Sequence, residues 1–498
     1  MNQTFIGITL VLISALVFIG SWKSFVKGKE RQALLLLVLG GLFLRVFTAS
    51  DFYLHDWDER FHALVAKNLI DNPLKPTLYK NPILDYDFRN WSGNHIWVHK
   101  QPLPLWTMAG SLALFGFNEL ALRLPSIVLS SLTIVLVFQI AKYFFNAKTG
   151  FFAAFLMAVN GLVVEITAGR VATDHPDVFF MFFILLGIFF AVKHIQLQKM
   201  IYCFLIGISL GCAILSKWLP AIIILPIWLL MALGSKKFSF KSLLISFLII
   251  CGIAFLIAAP WQFYIYERFP KEAAWEASFN WKHFTNVLDG REGSAFYFID
   301  QIRINYGELV YLPLVWFVVK ALKNLREVKY VVFLVWTLVP LLIFSLAQTK
   351  MQAYILFSAP AYFSITAHFF IWVLEAGKKL QKRWVTISIW ILFLGLPLRY
   401  SIERIKPFDS KDRKPEWVQD LKTLEIGRSA KNVLFNYPHA IEAMFYTDMT
   451  VYEKLPSVTK IEELQLKGYT VFVFKDENIP KDVLNTPKVI FLDLIHPD

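Results

Sequence analysis

The sequence has only three cysteines in 498 residues and no glycine-rich phosphate loop. Cys203, Cys212 and Cys251 all fall within apolar runs, and none has the spacing of metal ligands. We therefore interpret them as small buried hydrophobic residues rather than as a metal site or a disulfide framework. The missing phosphate loop leaves little support for a nucleotide-binding protein, and we expect no nucleotide cofactor.

The first apolar run, at about residues 5–21, lacks two features of a cleaved signal peptide. No basic region precedes it, and no small-residue cleavage site follows it. Because both features are expected in a secretory signal, we predict that this run is retained as a helix.

Apolar residues, in contrast, are abundant. They make up 56% of the chain, with a mean hydropathy of +0.52, whereas a soluble protein is usually about half apolar or less. Many apolar runs are long enough to cross a bilayer as helices. The pattern predicts an all-α polytopic membrane protein with about twelve transmembrane helices, near residues 5–21, 33–49, 125–144, 149–168, 178–194, 200–216, 219–233, 242–262, 308–322, 330–346, 352–374 and 384–399.

The net charge of +13 would suggest nucleic acid in a soluble protein, but here the basic residues follow the topology of a membrane protein. Alternate loops are short and basic, and the positive-inside rule places these loops in the cytoplasm. They lie at 22–32, 142–148, 193–199, 236–241, 323–329 and 378–383. The acidic loops and both termini then face outward, which predicts a plasma (inner) membrane protein with an extracytoplasmic site. Residues 102–117 fit this scheme as a juxtamembrane amphipathic segment.

The chain divides by composition into three parts. Residues 1–32 form an N-terminal helix with a basic loop, residues 33–400 form the main membrane domain, and the first external loop covers 50–124. From residue 401 to 498 the apolar runs shorten and alternate with amphipathic stretches, which predicts a small extracytoplasmic α/β domain with a parallel sheet. The predicted strands lie at 433–435, 451–452, 469–474 and 489–492, and the helices at 439–446 and 458–466.

The acidic start of the first external loop is the first candidate for chemistry. Asp56 and Glu59 have the spacing of a helix capping box, which gives both a structural interpretation. Asp58 is not needed for that role. Phe61, Leu64, Val65 and Leu69 then repeat at helical spacing. A carboxylate on the first turn of such a helix, beside the membrane, is a plausible general base.

Cations form the second group of candidates. His95 and His99 are four residues apart and would share a helix face as metal ligands, although solvated loop histidines are the commoner case. Lys217 lies on the outer side, where a lysine needs a carboxylate partner. Further ionisable residues are expected on that face: Lys100, Arg170, Asp174, His175, Asp177, Arg268, Arg291 and Lys350, with Tyr354. The set suits a substrate with an anionic phosphate and an apolar tail.

Several motifs, in order over about residues 33–400, resemble the GT-C class of membrane glycosyltransferases. The similar branch is that of protein O-mannosyltransferases and lipid A aminoarabinose transferases. Asp58-Glu59-Arg60-Phe61 resembles the Asp-Glu-x-Tyr motif of the first external loop, and His99-Lys100-Gln101-Pro102-Leu103 resembles the acidic-Lys-Pro-Pro-Leu motif. Further similar patches are Glu119…Arg123-Leu-Pro125-Ser126, Arg170…Asp174…Phe179-Phe180, Leu215-Ser-Lys217 and Lys350…Tyr354-Ile355-Leu356.

The resemblance implies a polyprenyl-phosphate-linked sugar as donor and transfer with inversion to an envelope acceptor. Asp58 would activate or position the acceptor nucleophile, and Asp174 and Lys217 would hold that site. The lipid phosphate would bind Lys100, Lys350, Arg291 and Tyr354.

The chain departs from the family pattern at two positions. His99 stands where a metal-binding carboxylate is frequent, and Gln101 separates Lys100 from Pro102. Because histidine can still ligate Zn²⁺, a divalent metal, Zn²⁺ or Mg²⁺/Mn²⁺, held by His99 and Glu59 is a hypothesis.

Two other classes of function compete with a glycosyltransferase. A transporter or flippase of a lipid-linked glycan would carry ionisable residues near mid-membrane, whereas here they cluster at the ends of the apolar runs. A non-enzymatic scaffold presenting residues 401–498 leaves Asp58, Asp174 and Lys217 unexplained. The sugar and the acceptor stay open, with lipid A, another envelope glycan and a protein hydroxyl as alternatives.

Overall fold

A computed structural model of the chain describes residues 3–172, 174–379, 383–424, 429, 431–476 and 479–497. Most of them are helical, and the elements are named here in chain order. The first helices are α1 (Gln3–Val26), α2 (Glu30–Thr48), α3 (Asp58–Asp71), α4 (Pro102–Phe115), α5 (Glu119–Phe144), α6 (Ala147–Val159), α7 (Gly161–Thr167), α8 (His175–Leu197), α9 (Ile201–Lys217), α10 (Ile224–Ser235) and α11 (Phe240–Arg268).

The second half continues with the same architecture and ends in a small sheet. Its helices are α12 (Pro270–Thr285), α13 (Tyr297–Tyr306), α14 (Tyr311–Lys323), α15 (Val328–Leu346), α16 (Ala359–Lys379), α17 (Arg383–Trp390) and α18 (Leu396–Ile405). Short 3-10 turns precede α10 (Leu219–Ile223) and α16 (Gln352–Ser358). The C-terminal elements are α19 (Glu416–Thr423), β1 (Asn432–Phe435), α20 (Ala440–Tyr446), β2 (Thr450–Tyr452), α21 (Val458–Leu466), β3 (Thr470–Phe474), α22 (Lys481–Leu484) and β4 (Ile490–Leu492).

The chain forms two compact units. Unit 1 contains Met1–Ala49, Lys100–Pro104 and Pro125–Ser410, and unit 2 contains Ser50–His99, Leu105–Leu124 and Lys411–Asp498. Most of residues 50–124, the predicted first external loop, thus pack in the same unit as the C-terminal sheet. The division into 1–32, 33–400 and 401–498 stays a prediction.

The membrane-spanning character of the chain is confirmed. In the described part, eight helices are long and apolar enough to cross a bilayer, or ten if the bent pairs α6–α7 and α13–α14 each form one span. All twelve predicted runs coincide with helices or helix pairs, but Ile201–Lys217 and Leu219–Ser235 are shorter apolar helices. Of the predicted basic loop at 378–383, residues 380–382, including Lys382, lie outside the described residues.

The break between α6 and α7 explains a buried charge in unit 1. The two helices meet at 51°, and the Asn160 side chain accepts a hydrogen bond from the backbone of Val163 to begin α7. The break leaves carbonyls at the end of α6 without helical partners. Arg45 of α2, which is fully buried, donates to the carbonyls of Met157 and Ala158 at 3.2 and 3.0 Å. A cation at a helix C-terminus is electrostatically favourable, so Arg45 has a structural role.

Unit 2 is built around α3, the helix predicted at the start of the first loop. Its Phe61, Leu64, Val65 and Leu69 are all buried, as the periodicity predicts. Helix α20 of the C-terminal region packs against α3. The Lys67 side chain caps the last turn of α20 by donating to the carbonyls of residues 444, 445 and 447 at 2.9, 3.0 and 2.6 Å. The end of α3 is thereby fixed to the end of α20.

The predicted α/β architecture of the C-terminal region is also confirmed. Four strands form a parallel sheet in the order β2-β1-β3-β4. Alternate side chains point to opposite faces of a strand, so Val433 and Val471 pack with α21 residues such as Ile461. Leu434 and Phe472 instead join the core that includes α3 and α20.

The segment predicted to be juxtamembrane and amphipathic is the helix α4. Its buried face carries Leu105, Met108, Ala109 and Leu112. The opposite side ends in exposed Leu114 and Phe115 rather than in charged residues. The helix is thus confirmed, while its two faces differ in burial more than in polarity.

Candidate active site

A cluster of charges lies at the end of α9 and the start of α8 in unit 1. Lys217 is the last residue of α9 and donates a hydrogen bond to Asp177 in the first turn of α8. This confirms the prediction that Lys217 has a carboxylate partner. The residue after it, Trp218, adopts a φ of +71°, which ends α9 abruptly. Such a conformation is rare for a bulky side chain.

The cluster extends to Lys100, Asp174 and Tyr354. Lys100 and Asp174 lie near enough to Asp177 to interact with it electrostatically. The Lys217 ammonium also lies 5.3 Å from the centre of the Tyr354 ring, within range of a cation–π contact. Asp174 is fully buried at the N-cap position of α8. Two cations and two carboxylates therefore lie close enough to influence one another, and together with Tyr354 they come from four segments that are distant in the sequence.

Lys350 and Arg291 lie next to each other in unit 1 through a backbone hydrogen bond of 2.9 Å from the Lys350 amide to the Arg291 carbonyl. The Lys350 side chain is buried and donates to the carbonyls of Phe344, Ser345 and Ala347 at the end of α15. Burial lowers the pKa of this ammonium. Lys350 therefore caps a helix, and its predicted role in phosphate binding stays a prediction.

Glu59 in unit 2 lies in a fully buried ion pair. Its Oε1 accepts from Arg123 Nε at 2.6 Å, and its Oε2 accepts from Arg123 Nη2 at 2.8 Å. The backbone amide of His55 donates to the same Oε2 at 2.8 Å. Both carboxylate oxygens are thus satisfied by the protein, which is the arrangement of a structural ion pair.

The predicted capping box is wrong. Helix α3 begins at Asp58, its N-cap residue is Trp57, and no side chain caps it. Glu59 pairs with Arg123 instead, sixty-four positions away, and such a partner cannot be read from local spacing. Asp58 occupies the first turn of α3 and is half-buried, and its role as a base stays a prediction.

His55 links this ion pair to a second carboxylate. Its Nδ1 lies 2.6 Å from Glu59 Oε2 and its Nε2 lies 3.2 Å from Asp51 Oδ2. Burial works against the charged imidazole and the Arg123 charge opposes it. The charge of Glu59 and the hydrogen bonds to Asp51 and Glu59 outweigh both, so the pKa of His55 is raised. Arg413 completes the group at 3.3 Å from Asp51.

The two histidines at the far end of the loop do not share a helix face. Residues 95–99 form no helix, and His95 Nδ1 lies 2.6 Å from the Tyr79 carbonyl. His99 stacks on the Trp91 ring at 4.9 Å, with the ring planes only 8° apart. The idea of a shared helical metal site is therefore wrong, whereas metal binding by His99 alone stays a prediction.

Three possible metal ligands meet elsewhere in unit 2. One ligand atom each from Asp56, His439 and Glu442 lies within 4.8 Å of the others. Sequence reasoning missed this group because 383 positions separate Asp56 from His439. The His-x-x-Glu spacing at the start of α20 was the available signal.

Sequence comparison shows what the chain is similar to. A family model described as dolichyl-phosphate-mannose-protein mannosyltransferase matches residues 99–264. An undecaprenyl phosphate-alpha-4-amino-4-deoxy-L-arabinose arabinosyl transferase 2 of Pseudomonas fluorescens is 25% identical over 283 residues, covering 54% of this chain and 49% of the relative. The chain thus spans about half the length of the curated relatives it matches.

Structure comparison shows the fold. The crystal structure of ArnT from Cupriavidus metallidurans bound to undecaprenyl phosphate superposes with a TM-score of 0.60 at 14% identity, covering 92% of this chain and 88% of that one. The oligosaccharyltransferase AglB of Archaeoglobus fulgidus, in complex with an inhibitory peptide and a dolichol-phosphate, gives a TM-score of 0.54 at 13% identity. That likeness covers 83% of this chain and 64% of AglB.

Proposed function

We propose that this chain is a membrane glycosyltransferase of the GT-C type, because a mannosyltransferase family model matches residues 99–264, arabinosyl transferases are similar in sequence, and the fold is similar to that of ArnT. It transfers a sugar from a polyprenyl-phosphate-linked donor to an envelope acceptor at the outer face of the plasma (inner) membrane, with inversion. Lipid A, another envelope glycan and a protein hydroxyl are the candidate acceptors.

One observation carries this proposal. Four charged residues lie near one another in unit 1, namely Lys100, Asp174, Asp177 and Lys217. All four lie within residues 99–264, the segment that the family model matches. Lys217 is partly exposed, with 26% of its side chain accessible, and its ammonium lies near both Asp177 and Tyr354. A polar group of this kind at the ends of two apolar helices suits a ligand whose phosphate is polar and whose tail is not.

The cations of this cluster would stabilise the negative charge that the reaction leaves on the lipid phosphate. Cleaving the bond between the sugar and the lipid phosphate leaves negative charge on the departing phosphate. Cations placed where that charge develops stabilise the transition state more than the ground state. We assign this role to Lys100 and Arg291 and to Lys217, which Asp177 holds in place, with Tyr354 as a neutral hydrogen-bond donor and Lys350 as a further candidate. The role of Asp174 and Lys217 in holding the acceptor site stays a prediction.

Asp58 takes the proton from the acceptor hydroxyl in this proposal. It is the first residue of α3, where the helix dipole favours a carboxylate anion. The neighbouring Glu59 is committed to Arg123, so it is not free to exchange protons with a substrate. Asp58 is the carboxylate of this motif that we expect to act as base.

The metal hypothesis for His99 and Glu59 is retained as a prediction. A structure of AglB has been obtained with Zn and sulfate, which makes a metal in this chain worth testing. Glu59 would have to exchange an Arg123 hydrogen bond for the metal. Transfer that survives chelators and the His99→Ala substitution would remove this hypothesis.

The proposal is tested by binding of undecaprenyl phosphate to the purified protein, measured by native mass spectrometry. Lys217→Met should weaken binding by about tenfold or more, because a hydrogen bond to a charged group contributes roughly 1.5–3 kcal/mol. Lys199→Met, in the exposed loop just before α9, is the matched control and should bind like the wild type. Equal binding by all three proteins would contradict the proposed donor site.

A further inference from the structure

The start of α20 and the turn before α3 bring together one imidazole and two carboxylates. Asp56 lies in the turn, His439 immediately precedes α20, and Glu442 lies in its first turn. Their three ligand atoms lie within 4.8 Å of one another, a spacing that a small shift of side chains would convert into a shared coordination sphere. All three residues belong to unit 2.

Glu442 is the residue that demands an explanation. Its side chain is fully buried, and its Oε1 accepts a hydrogen bond from Arg60 at 3.1 Å. Its Oε2 has no hydrogen-bond partner among the described residues. A buried carboxylate oxygen without a partner is costly, because the charge has lost its water.

A proton shared with His439 does not resolve this cost. His439 Nδ1 lies 3.3 Å from Glu442 Oε1, the oxygen that Arg60 already contacts. Within the described residues, that nitrogen also lacks an aligned hydrogen bond. The unsatisfied atoms are thus an oxygen and a nitrogen from residues three apart at the start of α20, with the exposed Asp56 carboxylate beside them.

We propose that Asp56, His439 and Glu442 bind a divalent transition metal, with water completing the coordination. One imidazole nitrogen and two carboxylates suit Zn²⁺ best and Mn²⁺ less well, whereas Ca²⁺ prefers more oxygen ligands. The Trp417 ring, 4.9 Å from the His439 ring, holds the imidazole at the site. The charge of Arg60 limits the affinity but does not occupy Oε2.

This metal joins two segments of unit 2 rather than taking part in the chemistry. It fixes the turn that leads into α3 to the first turn of α20, while Lys67 already fixes the other ends of these helices. Metal binding is therefore expected to stabilise the folded protein, since it favours the native state by mass action. The site stands independently of the proposed transferase activity.

The test measures metal binding to the full-length purified protein without any substrate. After removal of metals with a chelator, Zn²⁺ should bind by calorimetry with one ion per chain, and its addition should raise the unfolding temperature. Mn²⁺ should bind more weakly, and Ca²⁺ should have no effect. The visible spectrum of added Co²⁺ reports whether nitrogen and oxygen ligands surround the ion.

Substitutions then locate the site. Asp56→Asn and His439→Gln should each lower the Zn²⁺ affinity by about tenfold or more, and Asp56 is exposed, so its variant is expected to fold normally. His95→Gln, a histidine of the same unit that meets the Tyr79 carbonyl, is the control and should bind as the wild type does. Equal affinity in all these proteins would mean an adventitious ion only and would overturn the proposal. Binding that is lost in His99→Ala but kept in His439→Gln would overturn it as well.

Discussion

Two ion pairs, one in each unit, show how differently this chain uses charge. In unit 2 the Arg123–Glu59 pair is fully buried on both sides, with two short hydrogen bonds and a third from the His55 amide. In unit 1 the Lys217–Asp177 pair leaves 26% of the lysine side chain accessible, and the ammonium also faces the Tyr354 ring.

The difference in exposure distinguishes an ion pair that stabilises the fold from one whose lysine is accessible to a ligand. A buried carboxylate whose oxygens are both occupied has no capacity for a substrate, and removing its partner leaves an uncompensated charge. A partly exposed lysine at a helix end can exchange its partner for an anionic group at a lower cost. We therefore expect the two pairs to fail in different ways when they are broken.

The largest effect is expected at Arg123. Arg123→Met leaves Glu59 buried without its partner and should destabilise the protein by about 3–5 kcal/mol, measured as a loss of thermal stability in detergent. Adding Glu59→Met removes the orphaned charge and should restore part of the loss. A double variant that is less stable than Arg123→Met would show that the pair does more than balance charge.

The second-largest effect is a loss of sugar transfer, and we expect it at Asp58 rather than at the neighbouring Glu59. Asp58→Asn should lower sugar transfer by about 10²–10⁴-fold, the usual contribution of a general base, while the unfolding temperature stays the same. Transfer is measured in proteoliposomes that contain both the polyprenyl-phosphate sugars and the envelope acceptors extracted from cells that lack the protein. Asp71→Asn, at the other end of α3 and exposed to solvent, is the matched control. Full activity of the Asp58→Asn enzyme would remove Asp58 from the mechanism.

Lys350 sharpens the comparison within unit 1. Because its ammonium caps the end of α15, Lys350→Met should lower stability by about 1–2 kcal/mol. We expect its effect on undecaprenyl phosphate binding to be smaller than that of Lys217→Met. A binding loss as large as that of Lys217→Met, with unchanged stability, would instead place Lys350 in the donor site.

The smallest effect concerns His55 and pH. Its pKa is raised in the folded protein, so the protonated imidazole stabilises the fold below its unfolded pKa of about 6.5, and this contribution is lost as the pH rises through the higher folded pKa. The groups facing it are Asp51, Glu59 and Arg123, with Arg413 on Asp51. Unfolding temperatures measured at pH values from below the unfolded pKa of His55 to above its folded pKa should vary less with pH in His55→Gln than in the wild type. An identical pH dependence in the two proteins would contradict this assignment.

Local patterns predicted the elements of this fold well. Apolar runs coincide with helices, the period of Phe61, Leu64, Val65 and Leu69 gives the buried face of α3, and short alternating runs give a parallel sheet. The prediction that Lys217 has a carboxylate partner also succeeded, because a lone cation beside the membrane is costly. Its identity as Asp177 was not predicted, since two helices had to be placed side by side first.

Errors arose where spacing along the chain was taken for proximity in space. Asp56 and Glu59 have the spacing of a capping box. Glu59 instead accepts hydrogen bonds from Arg123, because a guanidinium satisfies both of its carboxylate oxygens. His95 and His99 are four apart, but their segment is not helical, and each ring meets a different aromatic or carbonyl partner.

The sequence by itself determined that this chain is a helical membrane protein with a small α/β region, because hydropathy and periodicity act over neighbouring residues. Only the tertiary structure decided which charges meet. Three groups of charged residues join separate segments of the chain: Arg123 with Glu59, Lys217 with Asp177, and Asp56 with His439 and Glu442. The physical reason is that a buried charge is stabilised by whatever partner lies within hydrogen-bonding distance, and that distance depends on packing rather than on position in the chain.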